Sequence, residues 1–265
     1  MDTSRLSVAS LPLSRDLKTA FRKVRELGLR GVELDLRTGL SPEQLSQTGI
    51  RQIRKWLADE GLVVVTAAFP TRGGYTDVER LEGRIAATKS ALETAHALGA
   101  TVLLNHVGDI PPPTAADAPA DPRWQLLIDV LTDVGAWGER VGCTLSAEAG
   151  RSSPADLARV IAGVPDGSLL CHVVTGSLVV HGHDPVAAVE MLSSHIGHVH
   201  ATDAIRGAFK GRGRAVILGS GEVDLPNVLA TLEERAYRGW IGLEPVDGFQ
   251  AEAELADAIT SLQAL

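Results

Sequence analysis

Aromatic residues are scarce in this chain and make up only 4% of its 265 residues. Proteins that hold a polysaccharide or a single-stranded nucleic acid usually stack sugar rings or bases on several aromatic side chains. Few such stacking platforms exist here. The composition therefore favours a small ligand over a polymer.

Cysteines are equally few, and their spacing excludes the common cysteine-based sites. The chain has two, Cys143 and Cys171, each inside an apolar run, and it has no C-x-x-C pair. Disulfide scaffolds and zinc ribbons need more cysteines at closer spacing, whereas a single cysteine in an apolar run is usually a buried thiol. We expect two buried free thiols in a reducing compartment.

The chain also lacks a long apolar segment and a positive net charge. No apolar run approaches the roughly 18 residues of a membrane span, and the first residues, which include Asp2, do not read as a secretory signal. The net charge of −8 repels nucleic acid and anionic membranes. The sequence predicts a cytoplasmic protein that binds neither of them.

What the chain does contain is a regular alternation. Short apolar runs alternate with longer segments of helical periodicity, which is typical of β-α units in a parallel sheet. No linker or change of composition divides the chain, so we predict a single (β/α)₈ TIM barrel over residues 1–265. The proline- and alanine-rich segment 109–121 is predicted to be a loop over the barrel mouth. The eight predicted strands cover residues 6–9, 31–36, 62–68, 101–106, 144–148, 169–174, 196–201 and 240–244.

Helix boundaries carry recognisable signals. A hydroxyl or carboxylate cap just before a proline marks a helix start, because a proline in the first turn loses no hydrogen bond. A glycine after a helical segment marks its end. The predicted starts follow Ser41, Ser153, Asp184 and Asp224, and the predicted ends lie at Gly28, Gly99 and Gly239.

Three chemically active side chains stand at the ends of predicted strands. Glu148, His200 and Glu244 each end an apolar run, and the carboxyl ends of parallel barrel strands meet at one mouth. Glu33 is expected to point inward near the same face, and Asp203 is expected to partner His200. Two carboxylates and an imidazole are suitable ligands for a divalent cation. The pattern therefore predicts a metal site at the mouth.

Eight short motifs carry a family resemblance. In their order and spacing the chain resembles the xylose isomerase-like TIM-barrel superfamily, the sugar phosphate isomerase/epimerase group. The resemblance implies a (β/α)₈ barrel, an activity of the ketose epimerase, inosose dehydratase or sugar isomerase type, and a bound Mn²⁺, Mg²⁺, Co²⁺ or Zn²⁺ ion. The motifs are Phe69-Pro-Thr-Arg-Gly-Gly-Tyr75, Ala97-Leu-Gly-Ala100, Gly108-Asp-Ile-Pro111, Ala147-Glu-Ala-Gly150, Gly182-His-Asp-Pro185, His198-Val-His-Ala-Thr-Asp203, Leu218-Gly-Ser-Gly-Glu-Val-Asp224 and Tyr237-Arg-Gly-Trp-Ile-Gly-Leu-Glu-Pro245.

The resemblance implies a metal site with one ligand position altered. Glu148, His200 and Glu244 match the family's ligands at the ends of strands five, seven and eight. The strand-six aspartate position falls on Val174, which has no donor atom, so we expect an incomplete site. His172 lies two residues earlier on the same face of the strand, and it is either a further ligand or a side chain that fills an inner layer of the barrel.

Substrate contacts follow from the resemblance and from strand ends. Ser177 falls where the family often has a substrate-touching His or Asn, and Arg206 resembles the substrate-binding arginine of the ketose epimerases. Arg72 follows the third predicted strand, and Asn105 and His106 end the fourth. These five side chains are therefore expected to hydrogen-bond sugar hydroxyls.

The chemistry of these groups predicts proton transfer beside a carbonyl. A divalent ion that holds the carbonyl and hydroxyl oxygens of a keto sugar stabilises the enediolate, while Glu148 and Glu244 take and return the proton. We therefore predict a sugar isomerase or epimerase that acts on a small polyhydroxylated substrate.

Three alternatives stay open. With a leaving group one carbon further on, the same site would act as a 3-keto-glycoside lyase or an inosose-type dehydratase. The barrel would also work without metal if Glu148 and Glu244 suffice as the acid/base pair. A catalytically silent barrel that binds a sugar or a protein is the third, because Val174 and Ser177 replace the family's polar groups together. The sequence leaves homo-oligomer formation open.

Overall fold

A computed structural model describes residues 3–114, 119, 121–149, 152–246 and 248–264. Its strands are β1 (Leu6–Ala9), β2 (Gly31–Asp35), β3 (Val63–Ala68), β4 (Val102–Asn105), β5 (Thr144–Ala149), β6 (Leu169–Val174), β7 (Ile196–Ala201), β8 (Asp203–Ile205), β9 (Arg214–Val216) and β10 (Ile241–Leu243).

Eight of these strands close into a barrel. Neighbouring strands are all parallel, in the order β1-β10-β7-β6-β5-β4-β3-β2. The eight predicted strands are confirmed, each within one residue at either end. The predicted (β/α)₈ fold is therefore confirmed, and the carboxyl ends of the strands share one mouth.

Helices connect the strands on the outside of the barrel. None of the described helices is both long enough and apolar enough to cross a membrane. In the predicted loop 109–121, residues 115–118 and 120 lie outside the described residues, and the rest is neither helix nor strand. The helices are α1 (Leu17–Glu26), α2 (Gln47–Glu60), α3 (Leu81–Leu98), α4 (Pro122–Val141), α5 (Pro154–Gly163), α6 (Thr175–Val180), α7 (Pro185–Leu192), α8 (Leu225–Glu234) and α9 (Ala251–Gln263).

Two predicted helix boundaries are wrong. The segment after Ser41 forms only a short 3₁₀ turn, and α2 begins later because Ser46 supplies the cap by accepting a hydrogen bond from Gly49 N. Helix α8 ends at Glu234 rather than at Gly239. Ala236 takes the left-handed conformation there, with φ of 58°, so an alanine occupies the position that the sequence rule reserves for glycine.

Strands β8 and β9 form a small antiparallel hairpin outside the barrel, which the sequence did not reveal. The buried Asp203 carboxylate links the start of β8 to the segment that follows β9. Its two oxygens accept hydrogen bonds from the backbone N–H groups of Ala204, Gly219, Gly221 and Val223 at 2.8–3.0 Å. The expected pairing of Asp203 with His200 is therefore wrong, because backbone amides take both carboxylate oxygens.

Side chains alternate between the two sides of the barrel wall. In Leu6-Ser7-Val8 and Val32-Glu33-Leu34 all six residues are buried, and apolar residues flank a polar one. The apolar set packs under the helices while the polar set faces the barrel interior. The interior is consequently polar. Buried polar residues on the barrel strands are Ser7, Glu33, Thr66, Asn105, Ser146, His172, His198 and His200.

Candidate functional site

A cavity of about 400 Å³ opens at the carboxyl ends of the barrel strands, and we call it the mouth cavity. Residues from each of the strands β1 to β7 and from the segment after β10 line it. The predicted residues Glu148, His200 and Glu244 therefore line one cavity. The polar or charged residues among them include Glu33, His106, Glu148, His172, His200 and Glu244.

Glu148 is held by two hydrogen bonds. His106 Nε2 donates to one carboxylate oxygen, and Ser177 Oγ donates to the other at 2.9 Å. Burial alone would raise the pKa of Glu148, but these hydrogen bonds and the nearby imidazoles outweigh it and lower that pKa. Glu148 is consequently an oriented carboxylate on the wall of the mouth cavity.

His200 is a buried imidazole between two carboxylates. Its Nε2 donates to Glu33 Oε2 at 3.0 Å, and its Nδ1 lies 4.0 Å from Glu244 Oε2. Burial disfavours the charged ring, yet the charge and hydrogen bond of Glu33 raise the pKa of His200. The same pair lowers the pKa of Glu33 against the effect of its burial. Thr66 also donates to Glu33 Oε2, at 2.8 Å.

Glu244 differs from Glu148 in its surroundings. Its side chain is 49% exposed, and the partial loss of water raises its pKa, although His200 acts in the opposite direction. The two carboxylates of the mouth cavity therefore have pKa values shifted in opposite directions. Such a divergence is common where one carboxyl group acts as a base and another as an acid.

Three imidazoles lie close together in the barrel interior. The His172 ring centroid lies 4.6 Å from that of His200 and 5.8 Å from that of His198, and the His198 and His200 centroids lie 5.0 Å apart. Both ring nitrogens of His198 and Nε2 of His172 are buried and have no hydrogen-bond partner among the described residues. Burial lowers the pKa of His172 and of His198, with help from the charge of His200, and so favours the neutral form of both rings.

One described group of ligand atoms is close enough to hold a metal ion. It consists of Glu33, His198 and His200, whose donor atoms lie within 4.8 Å of one another. The predicted set of Glu148, His200 and Glu244 shares only His200 with this group. Val174 lines the mouth cavity and offers no donor. His172, the further candidate, lies beside the group but is not one of its three members.

Three of the predicted substrate contacts lie at the mouth. His106 lines the mouth cavity and donates to Glu148. Ser177 from α6 donates to the other oxygen of the same carboxylate. Asn105 also lines the mouth cavity, but its side-chain amide already bonds to two other protein groups. It donates to Phe69 O at 2.6 Å and accepts from the Tyr75 hydroxyl at 3.2 Å. Asn105 therefore has a demonstrable structural role, whereas its contact with substrate stays a prediction.

The two predicted arginines lie further out. Arg206 follows β8 on the hairpin and pairs with Glu222, with Nε 3.3 Å from the carboxylate. The Arg72 side chain is exposed, and its carbonyl accepts a hydrogen bond from Arg84 Nε at 2.9 Å. Neither arginine is among the described residues that line the mouth cavity. Their substrate contacts stay predictions.

A second cavity of about 520 Å³, the side cavity, adjoins the first. His106 and Glu148 line both cavities, so the two cavities adjoin at these residues. The loop residues Thr71, Gly74 and Ser152 also line the side cavity. The mouth therefore has room for a ligand with two parts that meet at Glu148.

The sequence patterns predicted no role for His198. For Glu33 they predicted an inward-pointing side chain but no role. One signal for His198 was present: His198 and His200 are two residues apart on a strand, so they face the same side. The structure adds a reason that the sequence does not contain: Gly242 pairs with His200 on the neighbouring strand and leaves space for the rings. A Cβ atom on Gly242 would lie 2.7 Å from His198 Nε2 and 2.8 Å from His200 Nε2.

Comparison with known proteins gives a family match. The sequence profile of the xylose isomerase-like TIM barrel family matches residues 21–265. A comparison with curated protein sequences gave no match.

Several solved structures share the fold. A xylose isomerase domain protein from Planctomyces limnophilus has a TM-score of 0.84 at 20% identity, over 98% of this chain and 95% of that one. The apo form of 3-keto-D-glucoside 4-epimerase from E. coli has a TM-score of 0.77 at 18% identity, over 98% and 99%. A xylose isomerase-like TIM barrel protein from Mycobacterium smegmatis in complex with magnesium has a TM-score of 0.76 at 20% identity, over 99% and 96%. At these identities the likeness shows the fold alone.

Proposed function

Because the chain belongs to the xylose isomerase-like TIM barrel family, we propose that it is a sugar isomerase or epimerase that moves a proton beside a carbonyl group. The observation behind this proposal is a pair of carboxylates, Glu148 and Glu244, that line one cavity at the mouth of the barrel. A structural neighbour that is a 3-keto-D-glucoside 4-epimerase supports this type of chemistry.

Glu148 is the proposed base. Hydrogen bonds from His106 and Ser177 orient its carboxylate and favour the ionised form that accepts a proton. Glu244 is the proposed partner that returns the proton, and strands β6 and β7 separate it from Glu148 in the barrel. Removal of the proton leaves an enediolate. Its reprotonation at the other face gives an epimer, and at the neighbouring carbon an isomer.

The proposed substrate is a small polyhydroxylated keto sugar. His106, Ser177 and the more distant Arg72 and Arg206 are the proposed hydroxyl-binding side chains, together with Asn105. The side cavity favours a second candidate within the same chemistry, namely a 3-keto glycoside whose second part lies beyond His106. Elimination of that part would make the protein a lyase.

We also propose that the barrel binds a divalent cation. The residues proposed to hold it are Glu33, His198 and His200, since their donor atoms lie together and both His198 nitrogens lack partners among the described residues. The alternative set of Glu148, His200 and Glu244 lacks a strand-six donor at Val174. When bound, such an ion supplies Lewis-acid stabilisation of the enediolate oxygens.

We also propose a cytoplasmic location. Its support is that Cys143 and Cys171 are unpaired and buried, which suits a reducing compartment. Homo-oligomer formation stays a proposal, and size-exclusion chromatography with light scattering would test it.

Hydrogen exchange in D₂O tests the proposed reaction. The chain, loaded with Zn²⁺, Co²⁺, Mn²⁺ or Mg²⁺ in turn, is incubated with a panel of ketohexoses, ketopentoses and 3-keto glucosides, and deuterium is followed by NMR. We expect incorporation at one carbon beside the carbonyl. Glu148→Gln and Glu244→Gln keep the side-chain shape but remove the base, so each should slow exchange by roughly 10²–10⁴-fold.

Glu139→Gln is the matched control, because Glu139 is exposed on α4 and lies outside both cavities. This variant should exchange at the parent rate. Exchange that persists in both Glu148→Gln and Glu244→Gln would contradict the assigned roles. Release of an enone instead of simple exchange would favour the lyase. Absence of exchange over the whole panel would favour the silent barrel.

A further inference from the structure

The side cavity is larger than the cavity in which the proposed proton transfer takes place. Its volume is about 520 Å³, against about 400 Å³ for the mouth cavity, and both volumes are ordinary for ligand sites. His106 and Glu148 line both cavities. A molecule that reaches Glu148 therefore has two adjoining cavities to occupy.

Hydrogen bonds within the protein fix the wall of the side cavity. The segment after β4 forms part of this wall. Thr76 Oγ1 donates to Asp109 O at 3.2 Å. Ile110 N donates to Ser152 Oγ at 3.4 Å and so joins the segment to the residues before α5. The shape of this wall is therefore set before any ligand binds.

Two glycines bring two loops together at the same wall. Gly74 after β3 and Gly108 after β4 both line the side cavity, and a Cβ atom on Gly108 would lie 2.5 Å from Gly74 Cα. Both take positive φ angles, 71° and 90°, which glycine adopts more readily than other residues. The two loops therefore meet backbone against backbone, and no side chain fills the space beside them.

His181 provides a hydrogen-bond acceptor on the opposite loop. Its Nδ1 lies 2.8 Å from Ser177 O, and because a carbonyl oxygen can only accept, Nδ1 carries the proton. Nε2 of the neutral ring is then an acceptor, and it bonds to none of the described residues. His181 lines the side cavity, so this acceptor is available to a ligand there.

The rest of the wall is also rich in hydrogen-bonding groups. Asp109 supplies a carboxylate, and Ser152 supplies a hydroxyl whose proton no described residue accepts. The described residues that line this cavity include no Lys, Arg, Phe, Tyr or Trp. An anion would face the carboxylates of Asp109 and Glu148. An aromatic group would displace water from the acceptors without replacing its hydrogen bonds.

We propose that the side cavity binds a second, neutral sugar unit, which makes the substrate class a 3-keto disaccharide. This inference rests on the proposed function for the oxidised ring in the mouth cavity, and it extends that function to the group beyond His106. The hydroxyl groups of a sugar donate to His181 Nε2 and to Asp109, and they accept from Ser152. His181 and Ser152 are therefore the residues that select the second unit.

Binding of carbohydrates that have no keto group tests the side cavity apart from the reaction. Ligand-observed NMR titrations on the full chain compare methyl maltoside, methyl cellobioside and trehalose with methyl glucoside. We expect at least one disaccharide to bind about tenfold more tightly, because two added hydrogen bonds of ordinary net strength give about this factor. Phenyl glucoside and methyl glucoside 6-phosphate should bind no more tightly than methyl glucoside.

Three variants locate the second sugar unit. His181→Asn keeps a donor near the position of Nδ1 but removes the Nε2 acceptor, so it should reduce the ratio of disaccharide to methyl glucoside affinity by about 3–10-fold. Ser152→Phe fills the side cavity and should abolish the preference. His96→Asn is the matched control, because Nδ1 of His96 also lies close to a backbone oxygen, 3.2 Å from Gly142 O, but His96 is exposed on α3. This control should keep the parent ratio, and circular dichroism checks that each variant is folded.

The contrary results are equally specific. Equal affinities for methyl glucoside and all three disaccharides would overturn the proposal, as would an unchanged ratio in folded Ser152→Phe. Tighter binding of phenyl glucoside or of the 6-phosphate would assign the side cavity to an aromatic or an anionic group instead.

This proposal and the proposed function fail in different ways. Disaccharide binding with the expected variant effects, but without hydrogen exchange in any keto sugar, would support the side-cavity site and contradict the proposed reaction. Exchange in keto monosaccharides, without a gain in affinity for disaccharides, would contradict the second sugar unit alone.

Discussion

At the scale of single residues, Asp203 shows how one carboxylate can fix a whole segment. Its oxygens accept four backbone hydrogen bonds, which join the start of β8 to residues 219–223. The side chain is buried, with 2% of its surface exposed. Hydrogen bonds to a charged acceptor contribute about 1.5–3 kcal/mol each, so the group should matter for stability.

We predict that Asp203→Asn lowers the free energy of unfolding by about 2–4 kcal/mol, since the new amide group would face backbone N–H donors. Urea denaturation measures the change. Asp224→Asn is the control, because Asp224 caps α8 through Asn227 N and asparagine caps a helix as well as aspartate does. That control should change stability by no more than about 0.5 kcal/mol. Equal effects in both variants would contradict the special role of Asp203.

At the scale of elements, two Ser-Pro sequences fold differently. Ser153 begins α5: its hydroxyl accepts from Asp156 N at 3.1 Å and donates to the Asp156 carboxylate at 2.7 Å. Ser41 precedes the 3₁₀ turn Pro42–Gln44 and makes no such cap. The chain becomes extended again at Leu45, so no α-helix follows directly. The same local signal therefore gave one correct and one wrong start.

This difference predicts unequal effects of the same substitution. Ser153→Ala removes a capping hydroxyl and should destabilise the protein by about 1 kcal/mol. Ser41→Ala removes no cap bond and should change the free energy of unfolding by less than about 0.5 kcal/mol. Urea denaturation of the two variants measures both changes in the free energy of unfolding. A larger loss at Ser41 than at Ser153 would show that the cap geometry is not the cause.

At the scale of the whole molecule, the two thiols report on the integrity of the barrel. Cys143 precedes β5 and Cys171 lies within β6, and both are free and buried. Burial raises the pKa of Cys143 to about 12 and that of Cys171 further. Only the thiolate is nucleophilic, so native thiols should be unreactive at pH 8.

We predict that a chromogenic thiol reagent labels neither cysteine in the native chain and labels both within one urea transition. That transition should coincide with the loss of helical circular dichroism, because residues 1–265 are proposed to unfold as one domain. Cys143→Ser and Cys171→Ser assign the two signals. Labelling of one thiol in a separate, earlier transition would contradict the single domain.

The sequence by itself determined the barrel and its mouth. Apolar runs of strand length, separated by amphipathic segments, have few ways to bury their surface, and this local information placed every barrel strand within one residue. Because parallel strands end at one face, it also brought Glu148, His200 and Glu244 to the same cavity. Periodicity along the chain is enough for both results.

Only the tertiary structure decided the contacts inside that frame. In β7, Gly197 is an extra residue between the pairs Cys171–Ile196 and His172–His198, and Gly242 leaves the space that the His198 ring occupies. Both features depend on which strands are neighbours. The same holds for the Glu33 carboxylate, which reaches His200 from a strand 167 residues away. Sequence periodicity fixes the side of a strand that a residue faces. Distances between side chains on different strands depend on register, and register follows from closure of the whole barrel.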